Sequence, residues 1–137
     1  MSAETPDDPA ARLLGALAYV RERMIDLAVR LRRRADVTGV RDGLDVREFL
    51  GAGLNLAGWV DAELVDERAI CFWLETRHEE ERWVVEGRIL EQTALGQETN
   101  VDLGNREAGS LDQLAEALRV ACDELVALEE SFPFAPE

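Results

Sequence analysis

The chain has 137 residues and a net charge of -14, with 29 acidic residues against 15 basic ones. That length suffices for one domain with its own core, and a hydrophobic content of 47% sets the chain apart from charge-rich disordered segments. The charge argues against nucleic-acid binding by phosphate neutralisation, and no apolar run reaches the roughly 18 to 20 residues of a membrane span.

Every basic residue is Arg, a usage that with abundant Ala, Leu, Val, Asp and Glu points to a GC-rich bacterial genome. The first residues, Met1 to Pro9, are acidic and polar, the opposite of a secretory signal. Cys71 and Cys122 are too far apart for a disulfide framework and read as buried free thiols. These features together predict a cytoplasmic protein. Met1–Arg34 holds seven Arg against five acids, and the remainder eight against twenty-four, so the acidity belongs to the body of the domain.

Asp8-Pro9 opens a helix, with Asp as N-cap and Pro at the first helical position. Leu13, Leu17, Val20, Met24, Leu27 and Leu31 form its apolar stripe, widened by Leu14, Ile25 and Ala28. Extended to Arg34 the helix is about 39 Å long, more than a small core spans, which leaves one end to overhang or a homodimer to form through it. Arg30, Arg32, Arg33 and Arg34 sit where they favour the negative end of the helix dipole. Thr38-Gly39 and Asp42-Gly43 mark a loop. Asp45 and Glu48 suggest a capping box for a short helix through Phe49 and Leu50, stopped by Gly51 and Gly53.

From Leu54 the period becomes two. Leu54–Leu64, Ala69–Thr76, Arg82–Gln92 and Thr99–Leu103 read as four strands of an antiparallel meander. Ser110 with Gln113 caps a closing helix whose stripe is Leu111, Leu114, Leu118, Ala121, Leu125 and Leu128, and Pro133 and Pro136 prevent its continuation. One domain over residues 9–130 is expected, with tails at 1–8 and 131–137.

Loop length decides which side chains share a face. A turn at His78–Glu81 sets Thr76 opposite Trp83, Leu74 opposite Val85, Phe72 opposite Gly87 and Ile70 opposite Ile89. An odd loop or bulge at Asp66–Arg68 adds Leu64, Ala62 and Val60 to that apolar face, whereas an even loop would bury Asp61 and Glu63 unpaired. Val101 and Leu103 extend the same face. The opposite face receives Trp59, Asp61, Glu63, Cys71, Trp73, Glu75, Val84, Glu86 and Arg88, too charged for an apolar helix to cover. Both helices should therefore lie on the other side, giving a two-layer α+β domain.

Catalytic patterns are sparse. His78 is the single imidazole, placed in a solvated turn beside three Glu; Ser110 is used as a cap; the glycines lack a phosphate-loop context. No metal or cofactor motif appears, and a non-enzymatic domain is expected. Tryptophan ringed by polar groups is typical of binding hot spots. Trp59, Asp61, Glu63, Trp73, Glu75 and Glu86 are the candidate contacts for a basic protein partner.

In size, acidity and expected architecture the chain is similar to bacterial immunity proteins, without a shared residue-by-residue motif. That resemblance implies an antitoxin role. Small acidic dimeric escort chaperones are the alternative, although an uninterrupted meander departs from their pattern. A small-molecule pocket between helices and sheet, lined by Trp83, Phe72 and Phe49, is a further reading.

Overall fold

The computed structural model describes residues 8–49 and 53–131. The expected tails beyond these limits, with Pro133, Pro136, Leu50 and the Gly51 stop, lie outside the described residues. Helix α1 spans Pro9–Arg32, and the Asp8 carboxylate accepts a hydrogen bond from the Ala10 N–H at 3.1 Å. Its buried face is Leu13, Ala16, Val20, Met24, Leu27, Ala28 and Leu31. Leu14 and Ile25, expected to widen that stripe, instead face outward with 67% and 38% of their surface exposed. They fall on the side of the helix turned away from the sheet.

Five strands follow in the order β1-β2-β3-β4-β5, all antiparallel neighbours: β1 Val37–Phe49, β2 Gly53–Leu64, β3 Ala69–Glu79, β4 Arg82–Thr93 and β5 Gly96–Ala108. The expected loop and short helix before β2 are therefore a strand. Asp42 and Gly43 obscured its alternation, and each is accommodated by a distant residue. Arg32 at the end of α1 comes within 3.6 Å of the Asp42 carboxylate. The Trp59 ring occupies the space that a side chain at residue 43 would need.

The β2–β3 connection is odd, as expected. Glu67 adopts φ 71°, and the Leu64 N–H donates to the Arg68 carbonyl at 2.8 Å. The β3–β4 turn is shorter than expected: Glu79 pairs with Arg82, so Glu80 and Glu81 alone form it, at φ 48° and 69°. Two successive positive φ values match the twist of the flanking strands. His78 thus belongs to β3 rather than to a turn, with its ring 4.9 Å from that of Trp83.

Both connections shift the pairing by two residues from the expected register. Phe72 lies opposite Ile89 and Val60, and Ile70 opposite Glu91 and Ala62. A shift of two preserves the faces. It also places Glu91 at the far end of the core-facing side, where Arg68 and Asn100 donate to its carboxylate at 3.0 and 2.7 Å.

Helix α2, Leu111–Ala127, starts as expected. Ser110 Oγ accepts from the Gln113 N–H at 3.2 Å, and Gln113 Oε1 accepts from the Gly109 N–H at 2.7 Å, one residue outside the usual capping box. A 3₁₀ turn, Leu128–Glu130, follows. The Arg30 and Arg34 guanidiniums donate to Glu129 at 3.1 and 3.4 Å. Part of the basic cluster therefore fastens α1 to the end of α2 as well as favouring the dipole. Both helices cover one face of the sheet, with Phe72, Ile70, Leu74, Ile89, Leu27, Leu31, Leu114, Leu118 and Leu125 fully buried between the layers. This is the two-layer α+β arrangement, with five strands in place of four. Among the described residues no helix is long and apolar enough to cross a membrane.

Candidate functional site

The face of the sheet that neither helix covers is set by the register of five strands, which arranges its side chains in rows. One row runs Gly43, Trp59, Trp73, Arg88, Asp102 across the whole sheet. On one side lies Arg41, Asp61, Cys71, Leu90, Thr99, and on the other Asp45, Ala57, Glu75, Glu86, Asn105. The expected residues Trp59, Asp61, Glu63, Trp73, Glu75 and Glu86 thus share this face.

Trp59 and Trp73 stack, with ring centroids 5.9 Å apart and planes inclined by 20°. Both are half-buried. The Trp73 indole N–H is buried without an acceptor, so the pair is held by ring contact rather than by a hydrogen bond. Gly43 makes the arrangement possible: a Cβ there would approach Trp59 Cζ2 to 2.4 Å.

An open groove of about 530 Å³ runs along the pair, lined by Ala57, Trp59 and Trp73 together with the polar residues Asp45, Asn55, Asp61, Glu75 and Arg77. Sequence reasoning missed Gly43 and Asp45 here because it read their segment as loop and helix. The short-range signal is the apolar series Val40, Leu44 and Val46, and Asp42 interrupts it.

The carboxylates differ in their partners. Glu75 and Glu86 lie directly opposite one another, an unfavourable like-charge pair if left alone. Arg88 donates to Glu75 and lies 3.7 Å from Glu86, while Arg77 reaches Glu86 at 2.8 Å and Glu79 at 2.9 Å. This side of the pair is a compensated ladder of charges rather than an acidic patch. Glu63 meets Arg41 at 3.8 Å on the surface.

Asp61 stands beside Cys71. Burial, then the hydrogen bond to Asp61 and its negative charge, push the Cys71 thiol far above its ordinary range. A thiol so disposed stays protonated and is a poor nucleophile. Burial likewise pushes Cys122 up to about 12. Among the described residues no group of three or more His, Cys, Asp or Glu side chains is placed to hold a metal ion. Phe72 and Trp83 face the other side, Phe72 fully buried and Trp83 packed against the core.

Fold and site together define an α+β domain with an aromatic sheet face that neither helix covers. Comparison of the chain with family models, curated proteins and solved structures finds no match.

Proposed function

We propose that this chain is a non-enzymatic protein-binding domain whose Trp59–Trp73 face holds a basic segment of a protein partner. The observation that carries this reading is the stacked indole pair on the sheet face opposite the one that takes both helices. A cation laid against Trp59 gains about 0.5 to 2 kcal/mol from the ring, depending on how dry the contact becomes. Asp45 and Asp61 in the groove wall supply the opposite charge. The net charge of -14 adds long-range attraction, which speeds association with a cationic surface. A basic toxin of the nuclease type is the partner that best fits these requirements, making the chain an immunity protein or antitoxin acting in the cytoplasm.

A second reading, a small cationic ligand in the groove, draws on its volume of about 530 Å³, within the range of ligand sites. The test begins with a pull-down from the native host and mass spectrometry. The purified partner is then titrated calorimetrically against the wild type and against Trp59→Ala with Trp73→Ala. A loss of about 100-fold or more in the double variant is expected for two central hot-spot residues. Binding within about threefold of wild type would refute the assignment of this face. Thermal stabilisation by a small organic cation, with no protein captured, would support the second reading instead.

A further inference from the structure

We propose that the edge of β1, which no strand among the described residues pairs, joins the same edge of a second copy, forming a two-fold symmetric, antiparallel continuation of the sheet centred on Gly43. This goes beyond the proposed function and does not depend on what the Trp face binds.

The two edges of the sheet differ. The β4–β5 pairing shifts register between Glu86 and Arg88 and again between Ile89 and Leu90, and β5 carries three acids against one Arg, so its edge is broken and net negative. β1 keeps a continuous register from Gly39 to Phe49, its only shift lying before Gly39. A long regular edge presents a row of backbone donors and acceptors to another strand. The Arg32 guanidinium reaches the Val40 carbonyl at 3.5 Å, the outer limit of a hydrogen bond, and would yield to a strand N–H.

The sequence on this edge is self-complementary about Gly43. Antiparallel pairing there sets Arg41 of one copy opposite Asp45 of the other, and Asp45 opposite Arg41, on the outward face. Gly43 meets Gly43 at the axis. Directly opposed unlike charges stabilise such a pair, whereas like charges oppose it. Arg41 has 79% of its side chain exposed and its contact with Glu63 is long at 3.8 Å, so it can turn to Asp45 of the other copy.

Gly43 also explains why the axis falls there. The Trp59 ring lies over it, and the Cα atoms of two Gly43 residues across the axis would be about 5 Å apart. The two Trp59 rings would then adjoin, and the two stacked pairs would form one continuous aromatic row. In such a dimer a partner meets a face twice as long.

Sedimentation velocity from about 1 to 200 µM tests this, because the dimer fraction follows mass action. Wild type is expected to shift from monomer to dimer in this range. Arg41→Asp and Asp45→Arg, each of which opposes like charges across the axis, are expected to weaken association at least about tenfold. The double exchange, Arg41→Asp with Asp45→Arg, restores the pairing and is expected to return to within about threefold of wild type. Circular dichroism of each variant confirms folding.

A wild type that stays monomeric throughout would overturn the proposal, as would single variants that associate as wild type does. A dimer that survives both exchanges but is lost with Leu14→Glu would place the contact on the exposed α1 stripe of Leu14, Ile25 and Val29, and would overturn it equally.

Discussion

Replacing Gly43 with Ala isolates the seating of Trp59 from the rest of the fold. Its backbone lies in a region open to any residue, so the added methyl acts through space alone. The new Cβ would stand 2.4 Å from Trp59 Cζ2, whereas carbon atoms in contact rest at about 3.5 to 4.0 Å. The ring must therefore withdraw by more than about 1 Å. Since the Trp59 and Trp73 centroids are 5.9 Å apart at the outset, such a movement disrupts their stacking. Losing an aromatic pair removes about 0.5 to 1.5 kcal/mol. Replacing Gly by Ala at a compatible position returns about 0.4 to 1 kcal/mol through the unfolded chain.

The two contributions nearly cancel, so stability should stay within about 1 kcal/mol of wild type while the face is lost. Far-ultraviolet circular dichroism detects close indole pairs as an exciton couplet, and urea denaturation gives the stability. The expected result is a couplet as weak as that of Trp59→Phe with an almost unchanged unfolding midpoint. A wild-type couplet in Gly43→Ala would refute the reasoning, because the ring could not then lie over residue 43.

The β3–β4 turn holds Glu80 and Glu81 at positive φ, each at roughly 1 kcal/mol of backbone strain. Glu80→Asn with Glu81→Gly should stabilise by about 1 to 2 kcal/mol in urea denaturation, and an unchanged midpoint would count against the two-residue turn. Hydrogen bonds from Asn100 and then Arg68 hold Glu91 below its ordinary value of 4.5, while burial works against them. A depressed carboxyl contributes stability that is complete above the unfolded value and disappears as the pH falls through the folded one. The melting temperature should therefore decline below about pH 4.5, and Glu91→Gln should flatten this decline while lowering stability at pH 7. Cys122, buried, and Cys71, half-buried, both have raised thiols and should resist alkylation at pH 7.5 in the native protein and react on unfolding; rapid native labelling of either would contradict this.

The helices and the two faces of the sheet were legible because each depends on local periodicity. Burying Asp61 and Glu63 was unacceptable, so the parity of the β2–β3 connection followed without coordinates, and Trp59 and Trp73 fell on the side opposite the helices. The register needed more. Nothing in a run of three Glu reveals that two of them adopt left-handed backbone, and without that the β3–β4 pairing was displaced by two residues. The assignment of Leu14 and Ile25 to the core failed for a related reason: periodicity shows that apolar residues cluster on a helix but not how wide a face its neighbours cover.

Tertiary structure alone decided β1. Its alternation is broken at Asp42 and Gly43, and the residues that make those two acceptable lie far away in the chain. Arg32 arrives from the end of α1 to meet the carboxylate, and the Trp59 ring fills the position above the glycine. The same long-range pairing opposed Glu75 to Glu86 and drew in Arg77 and Arg88, so the charge available on the Trp face follows from the strand register rather than from composition. Side-chain alternation is a property of neighbouring residues, whereas compensation of a misplaced charge or an absent side chain is a property of strands and helices brought together.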